Sequence, residues 1–330
     1  MQFGQVKRRD FLTLLGSRAA WPLGARAQQQ KLPVVGFLNA GSPIVYAKQA
    51  SAFEQGLSET GYVKGRNVLI DYRWAEGHND RLPMLAADLV QRQVAVIAAT
   101  TLPSAPAAKA ATAIIPIVFL IGGDPVELGL VDSMSRPGGN ITGVAVLNVD
   151  LIGKRLELLH ELVPMAGTVA VLLNPNSAYT DLETSHVRAA ALSARLRVLL
   201  LNATKETEIG SAFTNLTQQS VGALIVSADP FFTSHRDQLV ALAARHQIPT
   251  IYQWRDFPEA GGLVSYGADH LDIYRQTGIY VGRVLGGTKT TDLPIVQPTK
   301  FELVLNLKTA KALSLAVPES ILLRADEVIE

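Results

Sequence analysis

The chain has 330 residues, 48% of them apolar and 18% charged, enough to bury a large core and too apolar for a disordered chain. Its formal net charge of +1 argues against a nucleic-acid surface built on bulk basicity, and the absence of cysteine excludes disulfides, thiolate metal sites and cysteine catalysis. Five basic side chains against one acidic fall in residues 1–27, so the remaining 25 basic and 28 acidic side chains leave the rest of the chain slightly acidic.

Residues 1–27 read as an export address. Arg8-Arg9 precedes Asp10-Phe11-Leu12 in the manner of a twin-arginine motif, a modest apolar stretch follows, and Ala25-Arg26-Ala27 offers a small-x-small cleavage site. Arg18 interrupts the apolar stretch, which is too short to span a bilayer.

From residue 31 onward, strands alternate with helices. Apolar runs at Val34–Leu38, Val68–Tyr72, Val94–Ala99 and Ile115–Ile121 flank helical segments at Ala47–Glu59 and Arg81–Arg92. Continuous rather than alternating apolar runs predict strands covered on both faces, in βαβ units with a parallel sheet. Arg136-Pro137-Gly138-Gly139-Asn140 is a turn, and ITGVAVLN (141–148) leads toward the next helix at Leu151.

The pattern then restarts with strands at Val169–Leu173, Val198–Leu201, Ala223–Val226 and Thr250–Tyr252 and with helices near Leu182–Arg195, Glu206–Gln219 and His235–His246. VVGFLNAGS (34–42) aligns with VAVLLNPNS (169–177), matching Asn39 to Asn174, and a weaker match sets VAVIAATT (94–101) against ALIVSADP (223–230). Duplication and the shared grammar of two α/β first strands both account for this. Either way, the expectation is two doubly wound α/β lobes joined by a hinge. Lobe 1 takes residues 31–145 plus 266–288, and lobe 2 takes 146–265 plus 289–330.

In open parallel sheets, ligands bind beyond the carboxyl ends of the strands. Those ends supply Asn39 and Ser42, then Thr100, Thr101 and Ser104, then Asp124, Asn148, Asn174, Asp229 and Tyr252. Tyr46 and Tyr266, with Phe231, Phe232 and Trp254, fall near the same turns and are candidate pocket walls. Hydroxyls, amides, exposed backbone and two carboxylates suit a small polar molecule. The competing role for each is helix capping, and both Asp124-Pro125 and Asp229-Pro230 have the form of a cap followed by a first-turn proline. Nucleotide-loop and serine-nucleophile motifs are missing, and the histidines show no metal-ligand spacing, so neither an enzyme nor a cofactor or metal is expected.

The runs GYVKGRNVLIDYRWAEGHNDRLPMLAADLV, PIVFLIGGDPVELGLVDSMSRPGGNITGV, ADPFFTSHRDQLVALAARHQIPTIY, AGGLVSYG and LPIVQPTKFELVLNLKTAKALSLAVP resemble the ABC transporter substrate-binding proteins of the tryptophan/tyrosine-binding (TrpX-like) type. The resemblance implies a type I periplasmic binding fold with three crossovers and a small solute, an amino acid or a relative, enclosed between the lobes. It implies a periplasmic monomer that delivers this solute to an inner-membrane ABC permease. By the same analogy, Ser42 and Thr101 would hold the ligand carboxylate, Asp124 or Asp229 the ammonium, and Tyr46 and Tyr252 the side chain. GADHLDIY (267–274) departs from the family's small residues there. A two-lobed enzyme and a ligand-sensing module are the alternatives.

Overall fold

The computed structural model describes residues 32–330; the expected export signal at 1–27 lies outside them. The first half runs β1 (Val34–Asn39), α1 (Ala47–Glu59), β2 (Leu69–Trp74), α2 (Leu82–Gln91), β3 (Val96–Ala99), α3 (Ser104–Ala111), β4 (Ile117–Ile121) and β5 (Ile141–Ala145). These strands make one parallel sheet in the order β2-β1-β3-β4-β5. The apolar runs are buried from end to end in β3, β4 and β5 because helices cover both faces of the sheet.

The second half repeats this plan. It runs α4 (Ile152–Leu162), β6 (Thr168–Leu173), α5 (Thr180–Ala194), β7 (Arg197–Asn202), α6 (Glu206–Gln218), β8 (Ala223–Val226), α7 (Pro230–Ser234), α8 (Arg236–Arg245), β9 (Thr250–Tyr252), α9 (Asp256–Glu259) and β10 (Val264–Ala268). The chain closes with α10 (His270–Leu285), β11 (Phe301–Asn306), α11 (Leu307–Ala312), α12 (Glu319–Leu322) and β12 (Glu327–Ile329). The second sheet has the order β12-β11-β10-β9-β8-β6-β7. The five strands β7-β6-β8-β9-β10 reproduce the first sheet's order, and the segments matched in sequence, β1 with β6 and β3 with β8, hold equivalent places. This is the two-lobed α/β architecture of the type I periplasmic binding fold. One pair breaks the parallel rule: β11 runs antiparallel to β10 because the chain returns to this sheet from the other lobe.

Three crossings link the lobes: β5 to α4, β10 to α10, and residues 296–301. Two fall away from the expected boundaries. Residues 266–268, expected in lobe 1, finish β10 in the second sheet. Residues 289–296, expected in lobe 2, stay on the first lobe, where Leu293 and Ile295 are buried in its core and Val296 bridges to Val144. Gly286-Gly287 ends α10 and does not mark a change of lobe.

Helix α10 leaves the second sheet yet packs along α1 of the first lobe. A Cβ at Gly56 would stand 1.8 Å from the Arg275 carbonyl oxygen, and one at Gly278 would stand 2.1 Å from that of Phe53, so these glycines permit the close seam. That seam fixes the face of α10 that carries His270, Ile273 and Tyr274, three and four residues apart.

Candidate functional site

The carboxyl ends of the two sheets face each other across a cavity of about 60 Å³ (room for the centres of water molecules). The first lobe lines it with Tyr46, Thr100, Thr101, Leu102, Leu120, Gly122, Val146, His270, Ile273 and Tyr274; the second brings Tyr179, Asp229, Pro230, Thr233 and Trp254, and Asn148 stands on the crossing between them. Beyond Leu102 and Asp229 lies an outer chamber of about 320 Å³, lined also by Asn79, Pro106, Leu130, Asn176 and Ser177. Asp229 therefore borders both spaces.

Asp229 stands after β8, with Pro230 opening the short α7. Its Oδ1 accepts from Phe231 N–H at 2.8 Å and from Asn174 Nδ2 at 3.0 Å. It caps the helix as its position predicts, and it also lines the cavity. Burial raises its pKa, opposed by the Asn174, Phe231 and Ser177 hydrogen bonds. An acid held this way gains most from a cationic partner.

The cavity threonines are spent on the fold. Thr100 Oγ1 accepts from Asn39 Nδ2 at 2.9 Å and lies 3.3 Å from the Leu38 carbonyl, while Thr101 Oγ1 accepts from Ala40 N–H at 3.1 Å. Ser104 Oγ donates to the Thr101 carbonyl at 2.6 Å and accepts from Thr101 N–H at 2.9 Å. Tyr274 Oη donates to the Thr100 carbonyl at 2.9 Å. These bonds shape the turns after β1 and β3.

Of the twelve residues singled out from the sequence, the structure brings Tyr46, Thr100, Thr101, Asn148 and Asp229 to the inner cavity. Asn39 and Asn174 stand one layer back, holding Thr100 and Asp229. Ser104 is buried inside its own turn, and Ser42 closes the turn before α1 by accepting from Val45 N–H at 3.4 Å. Asp124 accepts from Val126 N–H at 2.7 Å off the cavity, and turns follow it where a helix was expected. Tyr252 faces the core, stacked on Phe257 with centroids 4.4 Å apart, because alternation along β9 points it into the sheet's packed face. Tyr266 packs against Phe301.

Sequence reasoning missed Tyr274, Ile273 and Thr233. His270 and Trp254 stack at 4.1 Å with nearly parallel rings. His270 Nδ1 lies 2.9 Å from Asp256 Oδ2, and Gln49 Nε2 lies 3.3 Å from Asp256 Oδ1, so first-lobe groups on α10 and α1 grip an acid of the second lobe. Burial pushes Asp256 upward, but the hydrogen bond and charge of His270 outweigh it and hold the carboxyl down at about 2. Lys48 pairs with Glu259 at 3.2 Å on the same side. Tyr179 lies on Gly123 of the opposite lobe, where a Cβ would come within 2.3 Å of its Cζ. These contacts bridge the lobes, so the molecule is closed.

Behind the cavity sit two buried groups of opposite charge type, Arg155 and Glu183, that composition does not advertise. Arg155 occupies the apolar stripe of α4 between Ile152 and Leu159, and Glu183 lies on α5. Burial lowers the Arg155 pKa to about 10 and raises that of Glu183 to about 7. A charged residue at i+3 of an otherwise apolar helical stripe was the available signal.

Two lobes that meet around a polar and aromatic cavity define a solute-capturing protein. The chain belongs to the ABC transporter substrate binding protein family, whose model matches residues 41–329. It is therefore a substrate-binding protein of an ABC transporter, with an extracytoplasmic place of work. It is 29% identical over 269 residues to a tyrosine-binding protein of Clostridioides difficile (strain R20291), covering 81% of this chain and 77% of that one. The ABC domain from Streptococcus pneumoniae in complex with L-Trp is 28% identical, with a TM-score of 0.83 over 91% of this chain and all of the other. A conserved domain protein from Vibrio cholerae is 25% identical, with a TM-score of 0.84 over 90% of this chain and all of that one. Among the described residues, no helix is long and apolar enough to cross a membrane, and no cluster of His, Asp and Glu could hold a metal ion.

Proposed function

We propose that this chain captures an L-α-amino acid with an aromatic side chain in the periplasm, after export by a cleaved signal in residues 1–27, and hands it as a monomer to an inner-membrane ABC permease without chemical turnover. The observation that carries this reading is Asp229. It is a buried acid at the cavity between the lobes, with its pKa raised by burial, near Tyr46, Trp254 and Tyr274. An ammonium group relieves the desolvated charge, and the rings supply apolar surface for a planar side chain. The relatives named for tyrosine and crystallised with L-Trp support the same class of ligand.

Capture works by population shift. The open form takes the ligand on one lobe, and contacts from the other favour closure. Moving closure from one part in a hundred to ninety-nine requires about 5.5 kcal/mol of differential binding. The test is calorimetric titration of the purified chain with the twenty L-amino acids and with aromatic acids lacking an amine. Tight binding of L-tryptophan or L-tyrosine is expected. Preference for an aromatic acid without an amine would overturn the reading.

A further inference from the structure

The threonine hydroxyls that line the cavity are committed within the fold. The hydroxyls of Thr100 and Thr101 are consumed by Asn39, Leu38, Ala40 and Ser104, and Thr233 Oγ1 donates to the Asp229 carbonyl at 3.2 Å. Among the described residues lining the inner cavity, two buried side-chain donors lack a protein partner, Asn148 Nδ2 and Tyr179 Oη. Tyr179 lies in the field of Asp124 and Glu127, which disfavours an anion there. Asn148 instead lies directly against the Arg155 guanidinium.

Asn148 is also held in one orientation. Arg155 Nη2 donates to Asn148 Oδ1 at 3.1 Å, and Nη1 donates to the Asn148 carbonyl at 3.2 Å. A guanidinium carries donors only, so the amide atom facing it must be the oxygen, and the NH₂ is turned away from it. Arg155 Nε donates to the Tyr266 carbonyl at 2.8 Å, so one side chain ties the β5–α4 crossing to the middle of β10. Glu183, buried nearby and coupled to Arg155 only through its field, accepts from Ala228 N–H at 3.4 Å, directly before Asp229. Arg155 thus braces the donor at one polar edge of the cavity, and Glu183 braces the turn that carries the acid at the other.

We propose that Asn148 is the group that binds the ligand's carboxylate and that Arg155 is the positioning residue that keeps its amide donor turned to the cavity. This rests on the amino-acid reading above and deepens it: Asp229 takes the ammonium and Asn148 the carboxylate, in place of Ser42 and Thr101. A buried donor left unpaired costs free energy, so a ligand lacking the acceptor is rejected as well as less attracted.

The test uses calorimetric titration of the parent protein, Asn148→Asp, Asn148→Ala and Arg155→Lys with L-tryptophan and with tryptamine, which lacks the carboxylate. Melting temperatures establish that each variant folds, and Asn148→Ala serves if the aspartate variant does not. The parent is expected to prefer L-tryptophan by about a hundredfold or more, as for a site built around a hydrogen bond. Asn148→Asp should lose about a hundredfold for L-tryptophan and hold tryptamine within about threefold. Arg155→Lys should shrink the ratio of the two affinities by about tenfold, whereas a purely structural defect weakens both ligands alike. L-tryptophan binding by Asn148→Asp and Asn148→Ala within about threefold of the parent, or an unchanged ratio in Arg155→Lys, overturns the inference alone. Parent protein that binds no amino acid overturns the amino-acid reading and this inference with it.

Discussion

Asn174 Nδ2 donates to Asp229 Oδ1 at 3.0 Å, and the bond recurs in the other lobe, where Asn39 Nδ2 donates to Thr100 Oγ1 at 2.9 Å. In each lobe the asparagine ends or follows the first strand of its half, and its partner follows the third. Each asparagine also turns its own Oδ1 to the chain two residues on, Gly41 N–H at 2.7 Å and Asn176 N–H at 3.1 Å. The halves thus share a scaffold and differ at its tip, where one carries a neutral hydroxyl and the other an acid. That difference gives the cavity its polarity.

Asp229→Asn keeps the acceptor that caps α7 and removes only the charge. Affinity for L-tryptophan should fall by about a hundredfold or more, the scale of truncating one partner of a buried charge pair. The free protein should lose no stability, because burial disfavours the ionised acid. The parent's affinity should also weaken as pH falls through the raised Asp229 pKa, since the ligand's ammonium selects the ionised form. Calorimetry across pH reads both effects, and an affinity indifferent to the charge would separate Asp229 from the ammonium.

Much of the scaffold was legible from residues 34 onward, because buried parallel strands write themselves as unbroken apolar runs and the Asn39/Asn174 match marked the restart. The site was legible where it lies in the turns beyond strand ends, at Tyr46, Thr100, Thr101, Asn148 and Asp229. Tyr252 misled because strand alternation, which a three-residue β9 hardly shows in sequence, turns it into the core. Tyr274 and His270 were hidden because their helix belongs by packing to a lobe it does not follow in sequence, and only the tertiary seam at Gly56 and Gly278 reveals it. Asp124 and Asp229 share a motif yet separate in role, since one closes a turn off the cavity and the other is drawn between two chambers.

The Asp256 grip should set the resting balance between open and closed forms. Asp256→Asn removes the charge that faces His270 and weakens a bond between lobes. Small-angle scattering of the ligand-free variant should show a larger radius of gyration than the parent, and ligand affinity should fall by about tenfold, the scale of one charge-assisted hydrogen bond. Because its folded pKa is depressed, the Asp256 contribution is present above 3.8 and is lost as pH falls through about 2. An unchanged radius would show that the contact does not govern closure.

Glu183 has the opposite sign. Its folded pKa is raised by burial to about 7 from 4.5, so its contribution to stability is fully present below 4.5 and is lost as pH rises through about 7. Glu183→Gln retains an acceptor for Ala228 N–H and removes the titration. Its melting temperature should vary less with pH across that window than the parent's, as scanning calorimetry at several pH values would show. Parallel profiles for the two proteins would rule out Glu183 as the titrating group.

At Gly123 the two lobes meet closely. It follows β4 in the first lobe, and the ring that covers it, Tyr179, opens α5 in the second. In Gly123→Ala the new methyl carbon would lie 2.3 Å from Tyr179 Cζ and 2.7 Å from its Oη, so the ring must leave its seat or the lobes must stay apart. The strain exists only in the closed form, and overpacking of this kind typically costs about 1–3 kcal/mol. Affinity for L-tryptophan should therefore drop about five- to a hundredfold, while the melting temperature of the free protein moves little, because opening relieves the clash. In a Tyr179→Ala background the same glycine substitution should have no further effect, since the atom it strikes is gone. A loss of equal size in both backgrounds would place the damage in the first lobe's own turn and not in closure.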